Sequence, residues 1–417
     1  MELVNGILSA VNESTPYFWI LVFFGAYPIT MALVWIVLSL TFKRRTEFAE
    51  LPALEKVSMV SVLVPAYCEE LTIGRTLEAL LELDYPNYEV IVINDGSQDR
   101  TAEVVKRYIP NGPIRLVDKK VNEGKSMALN DGLAVCNGEI ILVIDADILA
   151  DPKLLRHMVP HFSFPRVAAV TGNPRVLNRQ TLLQNLQAIE FSSIISMQRR
   201  AQRIWGRVMT VSGAVFAVRR SALLEIGGFS PDMATEDIDM TWQLQLRFWD
   251  VRYEPKAVVW MEAPPNLPEL WKQRKRWALG LAQVLRKNAL AMLNWKTRRL
   301  WPVYIESSLS ILWAYTFVGV TAFWFLCLLA GVSPYGASPI PNLWGMTIAS
   351  ACLVQLMVGA LSDRRYDPKI MRSYPDAIFY PLVYWMLMST ITAIYTMRGF
   401  FGRRQDVQRW KIQRSAA

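Results

Sequence analysis

Two aspartates follow a continuous apolar run and are suited to holding a charged ligand. The run Glu139–Ile144 leads directly into Asp145 and, two residues later, Asp147. Such a run is typical of a buried parallel strand, and open α/β sheets bind ligands beyond the carboxyl ends of their strands. If strand geometry continues past Ile144, both carboxylates project to one side. They then suit a hard divalent cation that holds a diphosphate, whereas a turn at Asp147 is the structural alternative.

Another acid and a lysine follow neighbouring predicted strands. Asp95 comes after the apolar run Tyr88–Ile93, and Lys125 precedes the predicted helix Ser126–Cys136. Asp95 can accept a hydrogen bond from a base N–H or a ribose hydroxyl, and Lys125 adds a cation to the helix dipole for binding phosphate. Singly, each has a common structural explanation, a turn for Asp95 and a solvated charge for Lys125. Their shared position at strand ends predicts one site that also includes the aspartate pair.

Three acids in four positions follow a glycine-rich turn further along the chain. They are Glu236, Asp237 and Asp239, and Thr235 precedes them. Acids in the first turn of a helix are favoured by its dipole, which is a sufficient structural explanation. Three of them exceed what a helix cap needs. A carboxylate held here against the opposite wall of the crevice would suit a general base.

The segment Leu270–Gly280 combines a dense set of basic residues with two tryptophans. One interpretation is an amphipathic helix in the membrane interface, with aromatic residues among the headgroups and bases toward anionic lipid. A catalytic interpretation is compatible with it. Arg276 could clamp a diphosphate while Trp277 stacks against a sugar ring.

An alternation of short apolar runs with helical patterns positions these residues and predicts a parallel α/β domain. The predicted strands are Val60–Tyr67, Tyr88–Ile93, Ile114–Val117, Glu139–Asp147 and Val167–Gly172. The predicted helices are Glu69–Glu82, Ser126–Cys136, Thr181–Trp205, a run ending at Leu246, and one beginning at Leu270.

The remaining apolar segments are long enough to cross a bilayer. The chain of 417 residues is 52% hydrophobic, with 15 Trp. Tyr17–Phe42 has no charged residue and is followed directly by three basic residues, which places residue 43 onward in the cytoplasm. Three further apolar stretches are Val303–Val332, Asn342–Leu361 and Ala377–Met397.

The last of these stretches conflicts with the usual distribution of positive charge. A third carboxy-terminal crossing would place a basic tail outside, so either the charge rule fails or Ala377–Met397 re-enters or lies in the interface. We favour three carboxy-terminal crossings, one for each of these apolar stretches. The basic residues of this tail are Arg398, Arg403, Arg404, Arg409, Lys411 and Arg414.

Several function classes are disfavoured by what the sequence lacks. It has no Gly-x-x-x-x-Gly-Lys-Ser/Thr loop and no Gly-x-Gly-x-x-Gly after a strand, which argues against an ATPase or a dinucleotide oxidoreductase. His157 and His161 have no third ligand in view, so we expect them on a helix surface rather than in a zinc site. The net charge of +9 does not indicate nucleic-acid binding, because the basic residues cluster beside apolar segments.

These motifs, in this order, give the chain a family resemblance. With Asp95, the pair Asp145 and Asp147, Thr235–Asp237 and Gln273–Trp277, it resembles processive family 2 glycosyltransferases of the GT-A fold, which include cellulose, chitin and hyaluronan synthases. It looks most like the bacterial poly-β-1,6-N-acetylglucosamine synthases, from the first membrane segment to the last. That narrower likeness rests on Val170–Arg175, Glu190–Ile195, Val211–Gly213 and Thr235–Asp239.

The resemblance implies a role for each matched residue. Asp147 would hold Mg²⁺ or Mn²⁺. Asp237, beside Glu236, would be the catalytic base that deprotonates the acceptor hydroxyl in an inverting displacement. Trp277 would bind the terminal sugar of the growing chain. Contacts to the nucleotide sugar are implied for Asp95, Lys125, Asp145, Gln273 and Arg276.

Two residues depart from the family pattern. Cys68 stands where relatives usually carry Asn after Pro-x-Tyr/Phe, and Leu279 replaces a Gln often found before Gly280. Neither is an inferred catalytic carboxylate. We therefore expect activity and leave open a change in nucleotide affinity.

The resemblance also implies an architecture and a location. The fold would be α/β, a GT-A (Rossmann-like) cytoplasmic glycosyltransferase domain joined to α-helical transmembrane segments. Residues 1–45 would form a membrane anchor, 46–300 the catalytic domain with interfacial helices, and 301–417 a membrane region with a basic tail. The protein would lie in the bacterial inner (cytoplasmic) membrane.

The implied activity is polymerisation of N-acetylglucosamine from UDP-N-acetylglucosamine into poly-β-1,6-N-acetylglucosamine, a biofilm exopolysaccharide, with export of the glycan across the bilayer. The likeness also implies a small membrane accessory subunit and activation by cyclic di-GMP. The alternatives are a chitin-, hyaluronan- or cellulose-like synthase, transfer of one sugar to a lipid, and a non-catalytic sensor of UDP-sugars. Asp147 and Asp237 count against a sensor, which needs no base.

Overall fold

The computed structural model describes residues 2–52, 57–335 and 343–402. Its strands are β1 (Val60–Ala66), β2 (Tyr88–Asp95), β3 (Ile114–Lys119), β4 (Ile140–Ile144), β5 (Leu149–Ala150), β6 (Val167–Val176), β7 (Val215–Arg219) and β8 (Asp250–Met261). They form one sheet in the order β3-β2-β1-β4-β7-β6-β8-β5.

One half of the sheet is parallel, as the apolar runs predicted. β1 pairs in parallel with both β2 and β4, and β2 pairs in parallel with β3. Every residue of β1 and β4 is buried, and in β2 only the first is not. The carboxyl ends of these strands therefore lie along one edge, where α/β sheets bind ligands.

The other half is mixed, so the prediction of a parallel arrangement was wrong there. β7 runs antiparallel to β4 and β6, while β8 pairs in parallel with β6 and antiparallel with β5. We did not predict β7, although it is as long as β4. We also did not predict β8, in which Arg252, Glu254 and Lys256 interrupt the apolar pattern.

Helices cover both faces of the sheet and continue into the membrane region. In chain order they are α1 (Glu2–Asn12), α2 (Thr15–Arg45), α3 (Ile73–Leu81), α4 (Thr101–Tyr108), α5 (Lys125–Val135), α6 (Leu154–Met158), α7 (Leu182–Glu190), α8 (Ser196–Trp205), α9 (Arg220–Glu225), α10 (Glu236–Leu246), α11 (Leu267–Asn288), α12 (Trp301–Leu329), α13 (Leu343–Asp363), α14 (Ile370–Ser373) and α15 (Trp385–Phe401). The predicted helix Thr181–Trp205 is confirmed as α7 and α8, joined by one π-helical turn, Phe191–Ile195.

Two apolar layers hold the sheet between its helices. On one face, side chains of α3, α4 and α6 pack against alternate residues of β1 such as Val62 and Val64. On the other face, α5, α9 and α10 pack against Leu63 and Ile93. Alternation along the strands thus supplies both layers, which fixes the strand ends firmly enough to carry a site.

Among the described residues, three helices are long and apolar enough to cross a membrane. They are Thr15–Arg45, Trp295–Leu329 and Gly345–Asp363. A further apolar region consists of Ile370–Ile378 and Tyr380–Phe401, which meet at an angle of 60°. That bend fits both arrangements that the charge pattern left open, a broken crossing and a re-entrant loop. Of the predicted basic tail, only Arg398 lies within the described residues.

Buried ion pairs join α13 and the end of α2 to the part of the chain that contains the sheet. Asp363, the last residue of α13, accepts hydrogen bonds from Arg175 of β6 and lies 2.8 Å from a guanidinium nitrogen of Arg200. Arg200 also donates to Glu47, which follows α2, over 2.7 Å. The side chains of all four are at most 1% exposed. Breaking a buried pair leaves an unpaired charge, so these contacts fix how the two parts meet.

Candidate active site

The site begins where β4 ends. The strand stops at Ile144, and Asp145 begins a turn closed by a 3.2 Å hydrogen bond from the Ile148 amide to the Asp145 carbonyl. The expectation that strand geometry carries on to Asp147 was therefore wrong. The two carboxylates still act on each other, because the charge of Asp147 contributes to a raised pKa at Asp145, after the larger effect of burial.

Lys125, at the start of α5, lies between the two groups of acids. Its Nζ lies 2.6 Å from Asp145 Oδ1 and 3.2 Å from Glu236 Oε1, and it donates to the Gly213 carbonyl over 3.1 Å. Burial alone would lower the pKa of Lys125, but the charges of Asp145 and Glu236 outweigh it and raise the pKa above its ordinary value. Lys125 therefore remains a cation at neutral pH and joins β4 to α10.

The pKa values of the neighbours Glu236 and Asp237 are shifted in opposite directions. Burial would raise the pKa of Glu236, but Lys125 and Arg276 outweigh it and lower the pKa. For Asp237, burial and then the charge of Glu236 raise the pKa to about 6, although Lys125 and Arg276 oppose the rise. A carboxyl with a pKa near neutrality can both accept and release a proton at physiological pH, which is what a general base requires.

Two glycines allow the backbone to approach these acids. A Cβ on Gly213 would lie 2.9 Å from Asp237 Oδ2. A Cβ on Gly280 of α11 would overlap the side chain of Thr235, the residue before Glu236. The site is therefore assembled by close packing of α11 and the segment before β7 against the start of α10.

The third acid of the cluster has a structural role. Asp239 accepts hydrogen bonds from Lys287 over 2.7 and 2.9 Å and from Ser230 over 2.6 Å. It thereby ties α10 to the carboxy-terminal end of α11. This accounts for the excess of acids over what a helix cap needs.

Asp95 lies at the end of β2, behind the loop that leads to Lys125. It is fully buried; its carboxylate accepts from the amides of Glu123 and Gly124, and Lys119 Nζ lies 3.0 Å from it. In the described structure Asp95 thus holds the start of α5 in place. A direct contact with a nucleotide stays a prediction.

Helix α11 presents a partly exposed edge to the acids. Arg276 is exposed, and its charge acts on Lys125, Glu236 and Asp237. One turn earlier, the buried Oε1 of Gln273 has no hydrogen-bond partner among the described residues. Buried polar atoms are rarely left unpaired, so Gln273 is suited to a ligand that supplies a donor.

Trp277 is held from behind by a buried polar cluster. The Arg274 guanidinium lies 4.2 Å from the centre of the Trp277 ring, and Phe191 meets that ring edge-on. Arg274 donates to both carboxylate oxygens of Glu190, one of them over 3.1 Å. Tyr384, in the bent membrane region, donates to the same carboxylate over 2.8 Å. Sequence analysis missed this cluster, because a basic stretch gives no sign of which side chain points inward.

Asp147 lies on the rim of a small depression that also includes Arg75 and Glu262. Within the described part of the chain, no group of three His, Cys, Asp or Glu side chains is placed to hold a metal alone. Magnesium commonly binds through one or two carboxylates, with the remaining ligands from substrate phosphates and water. The carboxylates of Asp145 and Asp147, which interact electrostatically, fit that pattern.

Arg199 is a further residue that the sequence did not single out. It is 7% exposed, its Nε has no partner in the described structure, and its contact with the Gly172 carbonyl is 3.5 Å long. Burial lowers its pKa to about 10, although Tyr253 and Asp237 oppose this. Arg199 thus adds a buried positive charge that interacts with Asp237. A basic residue at a helix end gave no signal of burial.

One of the two histidines is also buried, contrary to expectation. His161 is 7% exposed, and its Nε2 lies 2.9 Å from Glu254. This carboxylate on β8 pairs with Nε2, while the buried Nδ1 has no hydrogen-bond partner among the described residues.

Comparison with known proteins places the site within a defined family. Residues 58–280 match the family described as Glycosyltransferase like family 2. The matched range includes all the candidate site residues, from Asp95 to Trp277.

Similar proteins extend the match beyond that range. The poly-beta-1,6-N-acetyl-D-glucosamine synthase of Staphylococcus epidermidis is 33% identical over 405 residues, covering 93% of this chain and 98% of the relative. The protein of that name from Staphylococcus aureus (strain COL) is 34% identical over 394 residues, covering 92% and 95%.

A solved structure shares the fold. It is the mannosyltransferase PcManGT from Pyrobaculum calidifontis in complex with GDP-Man and Mn²⁺, with a TM-score of 0.67 and 21% identity. The match covers 92% of this chain and 98% of that one. The expected GT-A-like fold is thereby confirmed.

Proposed function

The chain belongs to glycosyltransferase family 2, and from this membership we propose that it polymerises N-acetylglucosamine from UDP-N-acetylglucosamine into poly-β-1,6-N-acetylglucosamine. Both staphylococcal relatives bear the name of that synthase, and this chain covers nearly all of each. The alternative within the family is a synthase of a chitin-, hyaluronan- or cellulose-like polymer.

The observation that carries the proposal is the contact of Lys125 with both Asp145 and Glu236. One contact is to the strand end where α/β proteins bind nucleotides, and the other is to the residue beside Asp237. A diphosphate held near Lys125 would therefore place the sugar of the donor beside a carboxyl whose pKa is about 6.

The reaction assigned to this arrangement is a single displacement with inversion. Asp237 takes the proton from the C6 hydroxyl of the acceptor sugar, and that oxygen bonds to the anomeric carbon of the donor. The bond between that carbon and the diphosphate oxygen breaks, and UDP leaves with the electron pair. Glu236 and Arg276 set the charge around Asp237.

The donor is assigned to the strand-end side of the site and the acceptor to α11. Asp145, Lys125, Gln273 and Arg276 bind the nucleotide sugar, with Asp95 contacting the nucleotide. Positive charge from Lys125 and Arg276 stabilises the departing diphosphate. Trp277 stacks on the terminal acceptor sugar, and its ring is suited to this because one side is already fixed by Arg274.

A divalent cation, Mg²⁺ or Mn²⁺, would be held by Asp147 beside Asp145. When bound, it supplies positive charge for the diphosphate. Replacing Asp147 with Ala should weaken metal-dependent UDP binding, whereas an unaltered metal requirement would contradict the role of Asp147.

The same proposal assigns residues 1–45 to a membrane anchor, 46–300 to a cytoplasmic catalytic domain and 301–417 to a carboxy-terminal membrane region. The location is then the bacterial inner (cytoplasmic) membrane, and the glycan is exported across it. Support comes from the position of Trp277, which lies shortly before α12 in the chain. A small accessory subunit and activation by cyclic di-GMP are further assignments from the family.

Donor and linkage can be tested together. Membranes containing the full chain are incubated with Mg²⁺ and each of several UDP-sugars, and the product is digested with linkage-specific hydrolases. We expect incorporation from UDP-N-acetylglucosamine and cleavage only by an enzyme specific for β-1,6 linkages. A chitinase-sensitive product would instead support the alternative synthase, and UDP binding without product would support a sensor.

A further inference from the structure

A shallow pocket lined by cations lies where the catalytic domain meets the start of α12. Its charged residues are Arg207, Lys296 and Arg299, which we call the basic pocket. Lys296 and Arg299 are exposed and make no ion pair within the described residues. These two residues therefore offer positive charge that pairs with no carboxylate in the described part of the chain.

Arg207 is the buried member of the basic pocket. It is 5% exposed, and its Nε has no hydrogen-bond partner among the residues described. One guanidinium nitrogen donates to the Gly206 carbonyl over 3.1 Å and lies 3.9 Å from Asp250. Asp250 is closer to two other arginines, Arg203 at 2.9 Å and Arg252 at 3.0 Å. The carboxylate of Asp250 is thus shared by three guanidinium groups.

The excess positive charge affects the pKa of Arg207 itself. Burial lowers the pKa of Arg207, and Asp250 opposes this, but the charges of Arg299, Arg203 and Arg166 lower it further. An anion entering the basic pocket would relieve this repulsion. The geometry and the charge balance therefore both favour a bound anion.

An apolar shelf lies beside the basic pocket in the sequence. Leu290, Leu293 and Trp295 are 82%, 81% and 66% exposed, and Trp295 begins a helical segment that is apolar enough to cross a membrane. A soluble anion such as phosphate has no apolar part that could pack against this shelf. A phospholipid carries both an anionic phosphate and acyl chains, and aromatic residues are favoured at the level of the headgroups.

We propose that the basic pocket binds the phosphate of an anionic membrane lipid, whose acyl chains lie along the apolar shelf. This site is separate from the proposed active site and does not depend on the identity of the sugar donor.

The test is lipid retention by the purified full chain in detergent, followed by native mass spectrometry. The probes are short-chain phosphatidylglycerol and phosphatidylcholine in equal amounts. We expect the wild type to retain phosphatidylglycerol preferentially. Lys296→Gln and Arg299→Gln should each weaken that binding about fivefold, the usual effect of one basic residue at a membrane surface.

Arg45→Gln is the matched control. Arg45 is an exposed basic residue at the carboxy-terminal end of another apolar helix, α2, and does not line the pocket. Unchanged lipid binding in this variant supports a discrete site. A loss equal to that of Arg299→Gln would indicate diffuse surface charge and overturn the proposal.

Two further experiments distinguish binding of a lipid from binding of a soluble anion. Inorganic phosphate is titrated against retained phosphatidylglycerol, and Leu293→Ser removes part of the apolar shelf. Weaker lipid binding in Leu293→Ser, with little displacement by phosphate, supports the proposal. Full displacement by phosphate and no effect of Leu293→Ser would assign the pocket to a soluble anion. Because Arg207→Gln could disrupt folding, the decisive variants are the exposed ones.

Discussion

At the scale of single residues, the site depends on how neighbouring charges shift the pKa of each carboxyl. Glu236 contacts Lys125 directly, whereas Asp237 is buried beside the charge of Glu236. Two adjacent carboxyls therefore differ in pKa, and only Asp237 is close to neutrality. That difference supports the proposed role of Asp237 as the proton acceptor, with Glu236 raising its pKa.

The pH dependence of the reaction follows from this difference. Below about pH 6 Asp237 is protonated and cannot accept the proton of the acceptor hydroxyl, so kcat/KM should fall as pH decreases through that value. Glu236→Gln removes a like charge, which should lower the pKa of Asp237 and move the decline to lower pH. Initial rates of UDP release measure this. Glu225→Gln, at an exposed ion pair, is the control, and an unmoved profile in Glu236→Gln would contradict the assignment.

Cys68, which departs from the family pattern, has an unusual backbone conformation. Its φ of 54° lies in the left-handed region, which Asn tolerates better than other non-glycine residues. Cys68→Asn should therefore raise the free energy of unfolding by about 1 kcal/mol. Thermal unfolding of the purified chain measures this, with Cys68→Ala as the control. Equal stability of the two variants would contradict the explanation.

At the scale of elements, α11 couples the membrane region to the proposed acceptor site. Tyr384 donates to Glu190, Glu190 holds Arg274, and Arg274 lies against Trp277. These contacts join the bent membrane region, α7 and α11. The orientation of Trp277 therefore depends on residues far from it in sequence.

Tyr384→Phe tests this dependence by removing one hydroxyl. We expect shorter glycan products with nearly unchanged UDP affinity, because Trp277 would hold the acceptor less firmly. Product length by gel electrophoresis and UDP binding by calorimetry provide the two measurements. Tyr380→Phe is the control, since the Tyr380 ring packs against Tyr384 but its hydroxyl is not among the donors to Glu190. Equal effects of the two changes would indicate a packing role only.

The same scale shows why the sequence predicted some elements and missed others. Apolar runs identified β1 to β4, and the helical period identified α7 and α8, because each pattern is local. β8 carries charges within its length, and Arg274 and Arg276 differ in burial although they lie two residues apart. The strand-end acids and Lys125 were predictable as a set. The burial of Asp95 and Arg199 was not, because it depends on partners distant in the sequence.

At the scale of the whole molecule, the buried ions around Asp363 join the catalytic domain to α13. Asp363→Ala would leave the buried Arg175 and Arg200 without this carboxylate, and should cost about 3–5 kcal/mol of unfolding free energy. Thermal unfolding in one detergent measures this. Asp84→Ala is the control, since its pair with Arg156 is exposed and worth at most about 1 kcal/mol. Equal losses would show that the junction does not depend on Asp363.

The central claim is that one site binds the nucleotide sugar and uses Asp237 to activate the acceptor. The most direct measurement compares UDP affinity and polymer synthesis in Asp237→Asn, a change that keeps the side-chain shape and removes the base. We predict nearly unchanged UDP affinity in the presence of Mg²⁺ and loss of polymer. Polymer synthesis at the wild-type rate would contradict the claim.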